Sequence, residues 1–253
     1  ETKQPHPDTE RVIEAVAQRI EAEGTESWHE MEIGELIEDS SDYEKTTDVL
    51  DVWFESGVTH ACVLNTEDLH FPADLYLEGS DQHRGWFQSS LLTSMAINGI
   101  PPYKSVITHG FVVDGDGKKM SKSLGNTISP QEIWNTKGAD VLRAWIASTD
   151  FRNEMVISND RLQGAADSYR RIRNTIRFLL GNIHDFEVEN RVKEHELTEI
   201  DKYMEIKTQK LQKELIEDYQ NYRFHVAFHK IHNFCANDLG GFYLDVLKDR
   251  LYT

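Results

Sequence analysis

Between Gly117 and Asn126 the chain gathers Lys118, Lys119, Lys122, Ser121 and Ser123 into ten residues, with Gly117 and Gly125 near the two ends. Ammonium groups and hydroxyl donors on a movable loop suit a polyphosphate whose negative charge grows in a transition state. The order is not that of a Walker loop, because nothing in the chain reads G-x-x-x-x-G-K-[ST] ahead of a helix. Asp114-Gly115-Asp116-Gly117 lies just upstream and adds a second flexible glycine. A solvated basic turn is the competing reading of the same composition.

The elements around the loop decide what it can reach. Residues 74–79 read as a compact strand, Gly79-Ser80-Asp81 as a turn, and residues 82–97 as a helix with Trp86, Phe87, Leu91, Leu92 and Met95 for burial. Gly99 and Pro101-Pro102 end that helix, and residues 105–113 read as a second strand. Strand, crossover helix and strand make a right-handed βαβ unit with parallel strands. In such sheets ligands collect outside the carboxyl ends of the strands. Glu78, Gly79, Asp81 and Gln82 occupy that edge from the first strand, and His109 and Phe111 from the second. The lysine loop follows directly and is expected to overhang the same crevice.

Upstream, residues 6–23 carry Val12, Ile13, Val16, Ala17 and Ile20 at helical spacing and stop near Gly24. An acidic, irregular stretch follows over 25–47, with a short helix expected around 33–37. Residues 49–54 read as a short strand stopped by Ser56-Gly57. Downstream, Ser129-Pro130-Gln131-Glu132 has the form of a capping box, and helices are expected from there to about Thr136 and over 139–148. Long helices are expected near 158–185, 196–235 and 238–250, broken around Asn190 and at Gly240-Gly241. The reading is α/β over 1–152, then an all-α helical bundle over 153–253.

The 253 residues carry a net charge of −17, which argues against a general nucleic-acid binder. The charge is uneven: residues 1–55 hold 17 acidic and 4 basic side chains. Arg161, Arg170, Arg171, Arg173 and Arg177 form a basic stripe with few acids among them, and such a stripe can meet phosphates. Local ion pairing, with Asp167 for example, is the alternative. Cys62 and Cys235 are far apart and form no C-x-x-C pair, so both are expected to be structural thiols in a reducing cytoplasm. No apolar run is long enough to span a bilayer, and no signal segment opens the chain. A first residue of Glu1 suggests a piece of a longer chain.

Lys119-Met120-Ser121-Lys122-Ser123 resembles the KMSKS signature of class I aminoacyl-tRNA synthetases. Residues 50–57, 76–87, 108–111, 167–175 and 242–245 extend the likeness, in family order and over essentially the whole chain, to the bacterial-type isoleucyl branch. The wording Gly79-Ser80-Asp81-Gln82-His83-Arg84-Gly85-Trp86-Phe87 sets it apart from the valyl and leucyl branches. The resemblance implies a partial Rossmann-like parallel sheet followed by a helical stem-contact and anticodon-binding domain. It implies ATP with Mg2+, isoleucine and tRNA(Ile) as the reacting partners, a cytoplasmic location and a monomeric parent enzyme. Lys119 and Lys122 would stabilise departing pyrophosphate, with Met120, Ser121 and Ser123 on the ATP side. Glu78 would hold the aminoacyl-adenylate, Gly79 would admit its backbone and Asp81 would accept from ribose. Gln82 would reach the amino acid, and His109 and Phe111 would line the adenine. Trp53 and Trp86 would wall the isoleucine pocket, and Arg170, Arg171, Arg173 and Arg177 would contact tRNA. For Glu78 a solvated strand-end carboxylate competes, for His109 a structural histidine, and for both tryptophans plain core packing.

The family's His-x-Gly-His motif, editing domain and cysteine-rich zinc region have no counterpart in these residues. The chain is therefore expected to be the second half of a catalytic domain plus the start of a helical tRNA-binding region, with no zinc site and no useful adenylate formation alone. A non-catalytic tRNA-binding module is the alternative. A nucleotidyltransferase of another pathway is a third reading, opposed by the Trp86-Phe87 context and the helical tail.

Overall fold

The computed structural model describes residues 5–252. The chain divides into two compact units, Glu1–Glu55 and Ser56–Thr253.

In the first unit, α1 (Thr9–Glu23) stops at Gly24, whose φ of 89° lets its N–H reach Ile20 O. Two single-turn helices follow, α2 (Ser27–Glu30) and α3 (Ile33–Leu36), the latter where a short helix is expected. Arg19 ties α1 to Glu35, and Lys45 donates to the carbonyl of buried Met31 at 2.7 Å. The strand expected over 49–54 does not form. Asp51 Oδ1 instead accepts the N–H of Trp53 at 2.8 Å and starts α4 (Val52–Gly57). Asp51 is a good N-cap, and Val49 and Val52, 87% and 72% exposed, pair with no strand among the described residues.

The second unit opens with α5 (Thr59–Cys62) and the expected βαβ core. Strand β1 (Ala73–Gly79) pairs in parallel with β2 (Tyr103–His109), placing Glu78 opposite Thr108 and Gly79 opposite His109. Helix α6 (Trp86–Asn98) joins them and begins four residues later than expected, because residues 80–84 wind as a tighter 3-10 turn. Gly99, at φ 69°, ends it. The buried face of α6 is only partly the expected apolar one: Phe87 is buried and Trp86 and Leu91 are half-buried. Leu92 and Met95 are exposed, whereas Ser90 and Ser94 are fully buried beside Phe87. Small hydroxyl side chains let this helix lie close: Ser90 Oγ is 3.1 Å from Tyr76 Oη, and Ser94 Oγ donates to Ile100 O at 2.8 Å. Each buried hydroxyl is thereby satisfied, without which its burial would cost stability.

Strand β2 does not run on to Val113 as its composition suggests. It ends at His109, and β3 (Val112–Val113) pairs in parallel with β4 (Met155–Val156) in a separate two-stranded sheet. Beneath it lies the core of Ile133, Trp145, Met155, Ile157, Leu162 and Ala165, drawn from α7 (Pro130–Lys137), α8 (Ala139–Ser148), β4 and α9 (Asn159–Asn182). Burial of each large apolar side chain there contributes roughly 1.5–3 kcal/mol. Ser129 caps α7 as expected, but it exchanges hydrogen bonds with Gln131 rather than closing a box with Glu132.

The C-terminal region is helical: α10 (Glu199–Gln220), α11 (Phe224–Asn233), a π-helical stretch (Phe234–Tyr243) and α12 (Leu244–Tyr252). One helix over 196–235 is expected, but the chain turns at Tyr222, whose φ is 56°. The buried carboxylate of Asp218 fixes that turn, receiving Arg223 Nε at 2.8 Å and Lys230 Nζ at 2.7 Å. Conversely, Gly240-Gly241 does not break the helix. The wider π turns carry it through, and a side chain at Gly240 would crowd Cys235 O at 3.0 Å. Cys235 is buried, and burial pushes its thiol up; Cys62 is exposed, against expectation. Among the described residues no helix is long and apolar enough to cross a membrane.

Asp201 ties the two ends of this helical region. Burial opposes its charge, but hydrogen bonds from Thr198, Tyr243 and Arg250 outweigh burial and hold its carboxyl at about 2. Tyr243 is correspondingly pushed up to about 12 by burial and by its bond to Asp201. A depressed carboxyl stabilises the fold above its unfolded value near 4 and loses that contribution as pH falls through the folded value. Replacing Asp201→Asn is expected to cost about 2 kcal/mol in urea unfolding at neutral pH. The gap to the parent should narrow as the pH drops from 4 toward 2.

Candidate functional site

The register of β1 and β2 sets the site. The register puts Glu78 beside Thr108 and Gly79 beside His109 at the carboxyl edge, with Asp81 folded against Gly79; Phe111 lies beyond the end of β2. Glu78 is exposed and has no hydrogen-bond or ion-pair partner among the described residues, so its carboxylate is free to take a ligand. Gly79 has no room for a side chain, because an added Cβ would lie 2.5 Å from Asp81 Oδ1. His109 Nδ1 is 2.8 Å from Gly110 O. A carbonyl only accepts, so Nδ1 is the donor, and in the neutral ring Nε2 is left as an acceptor.

Gln82 does not begin the helix. Its Oε1 accepts the N–H of Trp86 at 3.0 Å and so caps α6, while Nε2 leans on Asp81 Oδ2 at 3.4 Å. Trp86 is locked as well: it stacks on Tyr76 at 4.3 Å between centroids and 7° between planes. Its indole N–H is shared between Ser56 O at 2.8 Å and Thr59 Oγ1 at 3.2 Å. Trp86 is thus a rigid surface that packs on one face. Trp53 lies in the first unit, in α4, and is 47% exposed.

The lysine loop leaves from a close crossing of two chain segments. Gly110 N–H donates to Phe151 O at 2.8 Å, and a Cβ on Gly110 would fall 2.1 Å from Asn153 O. Only glycine admits that approach. Phe111 follows, and the Lys119 ammonium rests 4.1 Å from its ring centroid. Such an interaction is worth about 0.5–1 kcal/mol at an exposed site, weak enough for the lysine to leave it for a phosphate. Met120 points the other way, against the core under β3 and β4. Lys122 and Ser123 are exposed on a short 3-10 turn that Ser121 caps by accepting from Leu124 N at 3.2 Å. Gly117 and Gly125, at φ 77° and 66°, turn the chain at either end.

Sequence reasoning missed two residues in the loop. Asp114 and Asn126 bond to each other at 2.8 Å across its base. The Asp114-Gly115-Asp116-Gly117 run is an ordered turn rather than a flexible one: Asp114 Oδ1 accepts from both Asp116 N and Lys118 N. An aspartate ahead of glycines is the usual sign of such a turn and was available in the sequence. The arginine stripe on α9 is exposed along its length. Arg170 pairs with Asp167 at 2.9 Å, whereas Arg171, Arg173 and Arg177 form no ion pair among the described residues. A cleft of about 530 Å3 is lined by Trp145, Glu154, Arg161 and His229 among others.

Comparison with known proteins assigns names to both parts of the chain. The family described as tRNA synthetases class I (I, L, M and V) matches residues 2–158, and the anticodon-binding domain of tRNA ligase matches residues 201–253. An isoleucine–tRNA ligase of Marinomonas sp. is 57% identical over 256 aligned residues, covering 100% of this chain and 27% of that protein. One from Alcanivorax borkumensis is 56% identical, with the same coverage of each. The chain thus spans about a quarter of the length of these relatives. Among solved structures, methionyl-tRNA synthetase of Mycobacterium tuberculosis bound by methionyl-adenylate superposes with a TM-score of 0.65 at 17% identity. That match covers 96% of this chain and 53% of the other. A ternary complex of Agrobacterium radiobacter K84 agnB2 LeuRS, tRNA and LeuAMS also gives 0.65 at 18%, over 78% of this chain and 28% of that one.

Proposed function

Because the chain belongs to the class I tRNA synthetases (I, L, M and V), we propose that it is the part of an isoleucine–tRNA ligase that closes over ATP during formation of isoleucyl-adenylate. The observations that carry this reading are a Glu78 carboxylate with no partner among the described residues beside His109 at the end of the β1–β2 pair, and, two residues beyond His109, Phe111 bearing the Lys119 ammonium on its ring.

The reaction asks little covalent chemistry of the protein. An amino-acid carboxylate is already ionised at neutral pH, so no general base is needed. The enzyme aligns that carboxylate with the α-phosphorus and neutralises charge leaving on pyrophosphate. Lys119 and Lys122 serve the second task, with Met120 as the anchor about which they swing and the Ser121 and Ser123 hydroxyls as donors. Glu78 takes the adenylate's ammonium or ribose end, Gly79 lets backbone approach the nucleotide, and Asp81 accepts from ribose hydroxyls. His109 and Phe111 flank the adenine. Trp86 supplies one rigid apolar wall for the isoleucine side chain, and Gln82 fixes the helix that bears it; Trp53 is assigned to the same side chain on the family likeness alone. Mg2+ arrives with the ATP phosphates, whose charge it would share. The division proposed is a catalytic part over 1–152 and a helical, tRNA-contacting part over 153–253. With about a quarter of the relatives' length present, the segment alone is not expected to form adenylate. The setting proposed is the cytoplasm, with tRNA(Ile) as partner.

The absence of ion pairs at Arg171, Arg173 and Arg177 among the described residues favours tRNA contact over local ion pairing for the stripe on α9. That role also serves the second reading, in which the segment only binds tRNA.

Two measurements on the intact enzyme carrying this segment separate these roles. Lys122→Ala should lower ATP–pyrophosphate exchange by on the order of a hundredfold or more while tRNA affinity holds. Lost tRNA affinity with exchange intact would favour the binding-module reading. Replacing Arg171, Arg173 and Arg177 with alanine should flatten the logarithmic salt dependence of tRNA binding by roughly 0.9 for each phosphate no longer neutralised. An unchanged slope would return the stripe to ordinary surface charge.

A further inference from the structure

We propose that Asn126 is a positioning residue for Lys119 and Lys122, and that with Asp114 it forms a clasp setting how far the lysine loop opens. The Asn126 side chain bonds to three separate points on the loop. Its Nδ2 donates to Asp114 Oδ2 at 2.8 Å on the incoming limb and approaches Lys119 O at 3.4 Å. Its Oδ1 accepts the N–H of Ser121 at 2.9 Å. The backbone at both Lys119 and Ser121 is therefore held by one amide group.

Asp114 is suited to hold that amide still. It directly follows Val113, which is buried in β3, and its own N–H bonds to Lys118 O at 2.9 Å. Its second oxygen is already committed to Asp116 N and Lys118 N, so the carboxylate cannot rotate away without losing three donors. Its charge is favoured first by the Asn126 bond, which draws its carboxyl below the ordinary range. The anchor on the outgoing limb is weaker. Met120 packs on the core, but from Lys122 to Gly125 the chain is exposed. Release of Asn126 would leave that limb held by the packing of Met120 and Ile128 on the core, by the bridge between Lys119 and Val113 and by local turn bonds. The left-handed turns at Gly117 and Gly125 lie just inside the clasp, where a swinging loop would bend.

The purpose assigned to the clasp rests on the pyrophosphate-meeting role of the two lysines; its existence as a latch does not. Trypsin cuts after Lys118, Lys119 and Lys122, so native-state proteolysis of the full chain reads loop opening with no nucleotide present. Cleavage follows the open population when reclosing is fast. Asn126→Ala and Asp114→Asn should each raise cleavage at these three sites by on the order of tenfold, the size expected for losing a hydrogen bond to a charged group. Cleavage after Lys104 serves as the internal reference and should not change. The double variant Asp114→Asn with Asn126→Asp exchanges donor and acceptor and should restore most of the protection. A general loss of folding would raise cleavage at Lys104 too and would not be rescued by the exchange. Single variants cut at the parent rate, or a double variant as open as the singles, would overturn the clasp. Adding inorganic pyrophosphate to the parent tests the lysines' role separately: accelerated cutting in the variants without slowing by pyrophosphate in the parent would keep the latch and sink the phosphate reading.

Discussion

The crossing of residue 110 over residue 153 is the constraint on which the rest depends. Gly110 passes so close to Asn153 O that no side chain fits, and its N–H is taken by Phe151. That approach ends β2 at His109, turns the chain out of the first sheet and starts β3 in a second one against β4. One sheet then presents Glu78 and His109, and the other leads into the lysine loop.

A soft interaction and a firm one share control of the loop. Met120 is fixed by apolar packing, whereas Lys119 rests on an aromatic face that it can leave for a fraction of the cost. The surrounding charge suits this. The chain is acidic overall, at −17, but the acids crowd residues 1–55. Lys122 has no carboxylate partner among the described residues. A cation that is already paired would have to break that pair before meeting phosphate.

Much of the fold around the candidate site was legible in the sequence because it depends on local rules. The parallel pairing of β1 with β2, the stops at Gly24 and Gly99 and the helix over 139–148 follow from period, turn residues and caps. What failed depends on interactions between distant residues. Residues 49–54 have strand composition, but Asp51 caps a helix and they pair with no strand among the described residues. Leu92 and Met95 look like core and are exposed, while Ser90 and Ser94 are buried because Tyr76 and Ile100 satisfy them. Gly240-Gly241 looks like a break and is a π-helical passage. The Gly110 crossing could not be read at all, since Asn153 is more than forty positions away. The Asp114–Asn126 clasp was half visible, in the turn signature of its first member.

The central claim is that this edge gathers the loop's cations for a nucleotide. Lysine acetylation read by peptide mass spectrometry tests it most directly, on the intact enzyme with and without ATP, Mg2+ and isoleucine. Lys119 and Lys122 should be protected several-fold by the full mixture, while Lys104, exposed near the opposite end of β2 and paired to Asp74, keeps its rate. Equal labelling of Lys119 and Lys122 in both conditions, with protection appearing at other lysines, would contradict the account.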